Sequence, residues 1–159
     1  MIPIGEKDAV RRQATATGTI RLKAGTVRAI LGKEIKKGDT FEASKIAAML
    51  AVKDTPRILP HCHQLPIEGC DVRFSTTEDT LTVECTVSTT AKTGVEMEAL
   101  TGTSVALLTV WDMVKYLEKD REGQYPGTAI GDIRVIEKLK GGTPWTNRTK
   151  STRRTRREA

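Results

Sequence analysis

The stretch CDVRFSTTEDTLTVECTV, residues 70–87, decides the fold because it predicts two strands joined by a short turn. Apolar and polar residues alternate over 70–74 and again over 81–87. Strict alternation is typical of strands that bury one face, and the residues TTED at 76–79 suit a hairpin loop. We therefore predict an antiparallel sheet with helices covering one face.

The rest of the chain predicts three helices and two further strands around this hairpin. In chain order these are a strand over 13–23, a short helix over 26–31 ended by Gly32, a helix over 44–54, a long helix over 99–119 and a strand over 133–136. Strands and helices mixed in this way indicate an α+β fold. We predict one domain over residues 1–142, followed by a basic, flexible tail over 143–159.

The helix predicted over 44–54 has Ser44 as its candidate N-cap and Pro56 just beyond its end. Its apolar residues Ile46, Met49 and Leu50 share one side at helical spacing. This pattern predicts that they form the buried face of the helix.

The overall composition is that of an ordinary globular protein of 159 residues, with 38% hydrophobic and 29% charged residues. No apolar run approaches the roughly 20 residues that a membrane-spanning helix needs. The N-terminal residues MIPIGEKDAVRR lack the apolar stretch of a signal peptide. We expect a cytoplasmic protein without a membrane partner.

The three cysteines, Cys62, Cys70 and Cys85, are an odd count without CxxC spacing. This pattern disfavours a disulfide framework or a zinc ribbon. Because Cys70 and Cys85 fall on the apolar faces of the two predicted strands, we expect both to be buried thiols.

The net charge of +6 is located at the C-terminus. Residues 140–159 contain seven basic side chains and one acidic side chain, whereas the other 139 residues contain 19 of each. A nucleic-acid-binding protein that uses this tail is therefore one functional alternative. The chain has only two Phe, two Tyr and two Trp, too few for an evident stacking surface, which disfavours a nucleic acid partner.

The long helix predicted over 99–119 has a regular apolar stripe, made of Leu107, Val110, Val114 and Leu117. Gly102 weakens its first turn by roughly 1 kcal/mol relative to alanine. Asp112 points nearly opposite the stripe, but Val105 and Leu108 lie on its side. We expect an enclosed helix with Asp112 only partly solvated. Asp112 and its i+3 neighbour Lys115 form either an ordinary surface ion pair or an acid–base pair in a cleft.

The segment LPHCHQLP, residues 59–66, contains both histidines of the chain. In an extended segment His61 and His63 lie on one side and Cys62 on the other, which disfavours a single metal ion bound by all three. A structural loop and a substrate-binding loop remain as readings, and we expect no metal site.

Several other charged residues are candidates only in combination. Lys37 lies in the loop KKGD before the second helix, and Glu96 and Glu98 flank Met97 and share one face if that segment is extended. By default each of these is a solvated charge.

Five segments in order give the chain a resemblance to a known family: KKGDTF (36–41), LPHCHQLP (59–66), KTGVEMEAL (92–100), VWDMVK (110–115) and IRVIEKLKGG (133–142). Together they resemble the cyclic pyranopterin monophosphate synthase family, the second enzyme of molybdenum cofactor biosynthesis. The resemblance covers residues 4–142. It departs at Gln64, where the family often has proline, and at His61, where an apolar residue is common.

The resemblance implies a ferredoxin-like α+β sandwich and a lyase activity. The reaction converts a cyclised dihydroguanosine triphosphate into cyclic pyranopterin monophosphate and pyrophosphate. It also implies a homodimer whose interface builds the active site and a homohexamer made of three dimers. No cofactor is implied, although Mg²⁺ can accompany a triphosphate.

The residue roles are carried over from the resemblance position by position. The implied catalytic residues are Asp112, Lys115, Lys37 and His63. The implied substrate-binding residues are His61, Cys62, His63, Glu96, Met97, Glu98, Lys7, Arg12 and Lys138. Scattered cations suit a polyanionic substrate, and an imidazole suits proton transfer near neutral pH. A catalytically inactive paralogue that serves as a scaffold is a further alternative.

Overall fold

The computed structural model describes residues 1–141 as a four-stranded antiparallel sheet packed against helices. The elements are β1 (Val10–Arg21), α1 (Ala24–Leu31), α2 (Thr40–Ile58), β2 (Gly69–Thr76), β3 (Thr80–Ala91), α3 (Glu96–Glu118) and β4 (Ala129–Lys140). The strand order β2-β3-β1-β4, with every pair antiparallel, is the ferredoxin-like arrangement predicted from the sequence. The predicted tail over 143–159 lies outside the described residues.

The predicted hairpin is confirmed as β2 and β3, with Val72 opposite Cys85 and Phe74 opposite Val83. The inward residues Val83 and Cys85 have no exposed surface. Cys85 is a buried thiol as predicted, whereas Cys70 is only partly buried because β2 is an edge strand. Both cysteines are free thiols.

Helix α1 begins two residues before its predicted start and ends before Gly32, as expected. A carboxylate from another element accepts hydrogen bonds from residues at the start of α1. Glu118, fully buried at the end of α3, accepts hydrogen bonds from the Lys23 amide at 3.1 Å and from the Thr26 hydroxyl at 2.5 Å. It also accepts one from the Thr128 hydroxyl at 2.6 Å. One buried acid therefore joins α3 to α1 and to the segment that precedes β4.

Helix α2 differs from the prediction in both bounds and orientation. It begins at Thr40 after Asp39, whose side chain accepts from the amides of Phe41 and Glu42, and it includes Pro56. The Ser44 cap was therefore wrong.

The buried face of α2 was also wrong. Ile46 and Leu50 are 54% and 58% exposed, and Met49 is exposed as well. The face against α3 is made of small residues, namely Ser44, Ala48, Ala51, Val52 and Thr55. The large apolar side chains of α2 therefore face outward in the single chain.

The small residues are required because α2 and α3 pack closely around Gly102. A Cβ atom at Gly102 would lie 2.7 Å from Val52 Cγ2 and 2.8 Å from Cys85 Sγ. The sequence pattern showed only the helix-weakening effect of this glycine. In the structure its missing side chain lets α3 approach both α2 and the sheet.

Strand β4 is three times as long as predicted and carries two irregularities against β1. Ala16 is opposite Val135, but Thr15 is opposite Glu137, so β4 has one extra residue at Ile136. A second shift lies near Asp132, which has a φ of 54°. A bulge of this kind moves every following side chain to the other face of the strand. Beyond Ile136, Lys138 is opposite Ala14 and Lys140 is opposite Arg12.

Candidate active site

Helices α2 and α3 run antiparallel, so each end of the pair gathers residues from two helices and their flanking loops. Lys37, just before α2, meets Asp112 near the end of α3. The loop with His61 and His63, just after α2, lines a cavity together with Thr93, just before the start of α3. The predicted site residues are therefore found in two groups.

The first group, here called the clamp, consists of Lys37, Asp112 and Lys115. Lys37 Nζ donates to Asp112 Oδ2 at 2.8 Å and to the Asp112 carbonyl at 2.7 Å. Lys115 Nζ lies 2.7 Å from Asp112 Oδ1. Hydrogen bonds from Lys115 first, and from Lys37 second, lower the pKa of Asp112 to about 2. The bond with Asp112 in turn raises the pKa of Lys115.

The expectation of an enclosed, partly solvated Asp112 was wrong for the single chain. The Asp112 side chain is 57% exposed, and Leu108 on the same side of α3 is 59% exposed. The helix buries its other side against the sheet and α2, so the two apolar residues near Asp112 did not indicate enclosure. A carboxylate with a pKa near 2 is ionised at neutral pH. It positions two ammonium groups and carries no proton to donate.

The loop of the clamp is attached to α3 through Tyr116. The Lys36 amide donates to the Tyr116 hydroxyl at 3.1 Å, and Lys36 Nζ lies 5.5 Å from the centre of the same ring. These contacts hold the segment that carries Lys37 against the helix that carries Asp112.

The second group, here called the cationic pocket, is an open cavity of about 450 Å³ at the start of α3. Its charged lining residues are Lys7, Arg12, Lys92, Glu96, Lys138 and Lys140. Lys138 forms an ion pair with Glu96. Arg12 donates to the carbonyls of Ala91 and Lys92, each at 3.4 Å.

A neighbouring cavity of about 540 Å³ contains both histidines and shares Lys7 and Thr93 with the cationic pocket. Its other lining residues, Met1, Ile2 and Ile4, are apolar. His61 and His63 thus both line one cavity, and Cys62 is not among its lining residues. The extended segment considered for them was wrong, because residues 59–62 form a turn in which the Cys62 amide donates to the Leu59 carbonyl at 3.0 Å. Within residues 1–141, no three His, Cys, Asp or Glu side chains are arranged to hold a metal ion.

Glu96, Met97 and Glu98 form the first turn of α3, so the extended segment considered for them was wrong. Positions two apart on a helix point in nearly opposite directions. Glu96 faces the cationic pocket, whereas Glu98 is only 3% exposed. Burial raises the pKa of Glu98, and burial followed by the charge of Glu98 raises the pKa of Cys62.

The clamp and the cationic pocket are far apart on one chain. Glu96 and Asp112 are sixteen positions apart on α3, which corresponds to about 24 Å along a helix. One chain therefore does not bring all predicted site residues together around one small ligand.

Comparison with known proteins identifies the family. The family model described as "MoaC family" matches residues 1–141. The chain belongs to the MoaC family. A probable cyclic pyranopterin monophosphate synthase of Thermococcus kodakarensis is 54% identical over 141 residues, which cover 89% of this chain and 90% of the relative. Proteins with the same printed name from Methanosphaerula palustris and Archaeoglobus fulgidus are 56% and 53% identical, each over 89% of this chain and over 92% and 91% of the relative.

Membership in the MoaC family confirms the predicted resemblance, the enzyme class and the role in molybdenum cofactor biosynthesis. The roles of individual residues stay predictions. None of the helices described in residues 1–141 is long and apolar enough to span a membrane.

Sequence reasoning did not select Lys92 and Lys140 as part of the MoaC-family site. Lys92 stands in the quoted segment KTGVEMEAL, but its side chain was not considered. Lys140 was counted with the basic tail, although it is the last residue of β4. Only the full length of β4 and its bulge reveal that Lys140 lies opposite Arg12.

Proposed function

We propose that this chain converts (8S)-3',8-cyclo-7,8-dihydroguanosine 5'-triphosphate into cyclic pyranopterin monophosphate and pyrophosphate. The family match and the printed names of the relatives support this reaction. The observation that carries the mechanism is the separation of five pocket cations from a lysine pair held by Asp112. Such a division suits a substrate with a polyanionic end and a reacting ring system.

The clamp performs the chemistry in this proposal. The fixed charge of Asp112 holds Lys37 and Lys115 side by side, each as a charged donor within 2.8 Å of a carboxylate oxygen. Two ammonium groups at this spacing can stabilise developing negative charge when pyrophosphate leaves and the remaining phosphate cyclises. Either lysine can also donate a proton while the purine ring is opened and rebuilt.

The cavity with the histidines receives the base and the growing pterin. The imidazole of His63 can both accept and donate a proton and suits repeated proton transfer. Buried Glu98 offers hydrogen-bond acceptors, or one donor when protonated, to the amide-like edge of a pterin. His61 lines the same cavity and Met97 lines the neighbouring cationic pocket, and in the proposal both, with Cys62 of the histidine loop, contact the substrate.

A second copy of the chain completes the site. Because about 24 Å separates the two groups along α3, we propose a homodimer in which the clamp of one protomer faces the cationic pocket of its partner. The exposed apolar residues of α2, Ile46, Met49 and Leu50, support a contact between protomers, since exposed apolar patches often mark interfaces. A hexamer of three such dimers, a cytoplasmic location and a reaction without a resident cofactor belong to the same proposal.

A complementation experiment tests this arrangement. The variants Asp112→Ala and Arg12→Ala are each expected to lose at least about 100-fold in turnover. Co-expressed from two differently tagged genes, they pair at random, so about half of the dimers are mixed and one of the two sites in each is intact. We expect about a quarter of wild-type turnover to return. The readout is pyrophosphate release from the cyclised triphosphate.

The control co-expresses Asp112→Ala with Lys115→Ala. Both variants disable the clamp, so every site in a mixed dimer combines a disabled clamp with an intact cationic pocket. If the first pair shows no more turnover than this control, although purification by both tags proves that mixed dimers form, the site does not combine residues of two chains. If the wild-type protein itself forms no pterin, the reaction is wrong.

A further inference from the structure

The cationic pocket has more positive charge than its own partners neutralise. It contains five cationic side chains, Lys7, Arg12, Lys92, Lys138 and Lys140, and one carboxylate, Glu96, so its net charge is +4 (five minus one). Glu96 already forms an ion pair with Lys138. The clamp has two lysines and one aspartate, a net charge of +1 (two minus one).

The unusual member of the pocket is Lys140. It stands directly opposite Arg12 in the β1–β4 register. Like charges at directly opposed positions destabilise a sheet. Within residues 1–141, the Lys140 side chain forms no ion pair or hydrogen bond that offsets this repulsion, whereas the Arg12 guanidinium is held by two carbonyls. An anion bound between Lys140 and Arg12 would offset the repulsion between the two cations.

Lys92 lies on the other side of Arg12. Arg12 donates to the Lys92 carbonyl, and Lys92 Nζ donates to the Gly5 carbonyl at 2.6 Å. A neutral carbonyl holds this ammonium group in place without cancelling its charge. Strand β1, strand β4 and the residue just after β3 therefore bring Arg12, Lys140 and Lys92 to the same pocket.

The bulge in β4 is what brings Lys140 to this edge. With regular pairing beyond Val135 and Ala16, the positions opposite Ala14 and Arg12 would be Glu137 and Leu139. With the extra residue, they are Lys138 and Lys140. The irregularity thus replaces an acid and an apolar residue by two lysines on the face that β1 turns toward the pocket.

We propose that Lys140 and Lys92, on either side of Arg12, bind the two phosphates of the substrate that leave as pyrophosphate. This assignment rests on the proposed function, because that reaction supplies a substrate with a triphosphate chain. It directs the phosphate chain into the cationic pocket, where the positive charge is not neutralised, and leaves the clamp for the reacting part of the molecule.

The test measures the binding of inorganic pyrophosphate to the full-length protein by isothermal titration calorimetry at low ionic strength. Lys140→Gln is expected to weaken binding about tenfold, since one charge-assisted hydrogen bond is lost. Lys92→Gln should weaken it by a similar factor, and Lys140→Arg should retain most of the affinity. The matched control is Lys45→Gln, which removes the same charge from an exposed residue of α2.

Pyrophosphate affinity of Lys140→Gln within twofold of wild type overturns the proposal, and so does an equal loss in Lys45→Gln. A turnover assay separates this result from the fate of the reaction. Lys140→Gln should raise KM for the cyclised triphosphate more than it lowers kcat. If wild-type protein shows no turnover but binds pyrophosphate through Lys140, the anion site stands and the proposed reaction fails. If wild-type protein turns over and Lys140→Gln leaves KM unchanged, the reaction stands and the assignment of Lys140 fails.

Discussion

The two ends of the α2–α3 pair use lysines in opposite ways. At the clamp, Lys37 and Lys115 both contact Asp112, which fixes their positions and compensates half of their charge. In the cationic pocket, five cations share one carboxylate, and two of them stand opposite each other across neighbouring strands. The first arrangement holds its cations by internal ion pairs, whereas the second leaves most of its positive charge without an acidic partner among the residues that line the pocket.

The carboxyl groups at the two ends also differ, in their exposure and in the direction in which their pKa is shifted. Asp112 is exposed, and hydrogen bonds from lysines lower its pKa to about 2. Glu98 is buried, and the loss of solvation raises its pKa. One carboxyl group thus remains ionised at any physiological pH, and the other is more easily protonated. Proton exchange with a ligand is more readily expected at Glu98 than at Asp112.

The substitution Asp112→Asn should distinguish the roles of the two ends most strongly, because it should affect turnover far more than pyrophosphate binding. It keeps the shape of the side chain but removes the charge that holds Lys37 and Lys115 together. We expect kcat to fall by about 100-fold or more, while the pyrophosphate affinity of the cationic pocket changes less than about twofold. Steady-state kinetics and calorimetry measure the two quantities.

The control for that substitution is Asp54→Asn, which breaks another aspartate pair with an i+3 cation on an exposed helix face, Arg57. It should leave both quantities near wild type. A joint loss of turnover and pyrophosphate binding in Asp112→Asn would mean that the two ends are not functionally distinct.

The substitution Glu118→Leu should destabilise the fold on the clamp side. It leaves the Lys23 amide and the Thr26 and Thr128 hydroxyls without their buried acceptor. We expect the free energy of unfolding to fall by about 2–4 kcal/mol, as measured by urea denaturation. Glu122→Leu, at an exposed loop position, should change it by less than about 0.5 kcal/mol. Equal effects of the two variants would show that the Glu118 contacts contribute little.

The smallest expected effect concerns pH. Because burial raises the pKa of Glu98, the folded state binds its proton more readily than the unfolded state does, so ionisation of this group lowers stability as pH rises above about 4. Glu98→Gln cannot ionise. We therefore expect its Tm to exceed that of wild type at pH 7 and to approach it at pH 4, as measured by calorimetry. An offset that does not change with pH, or the same trend in Glu122→Gln, would contradict this explanation.

The hairpin over 70–87 was predictable because β3 is a central strand with one buried face, so burial alone dictates its alternation. Helix α2 was not, because its pattern of large apolar residues marks the exposed side. The side against α3 must be small, since Gly102, Ala48 and Val52 meet there. A rule that places the largest apolar residues inside fails where two helices approach closely.

The residues of the site were predictable as a set, through five short segments, but their grouping was not. Asp112 and Lys115 were paired by helical spacing alone, and the structure confirms that ion pair. The contact of Lys37 with Asp112, which joins residues 75 positions apart, follows only from the antiparallel packing of α2 and α3. The pairing of Lys140 with Arg12 depends on one extra residue in β4, which leaves no mark in the apolar pattern.

That extra residue lets the pairing of β4 with β1, rather than the composition of the strand, decide which side chains line the pocket. A chain that kept Ile136 but paired regularly beyond Val135 would offer Glu137 and Leu139 to an incoming ligand. A chain from which Ile136 alone was deleted would instead pair regularly and would still place Lys138 opposite Ala14 and Lys140 opposite Arg12. Among proteins of this architecture, a single-residue gap at this place in an alignment is therefore compatible with the same cations in the pocket, whereas an unbulged strand of the present length is not.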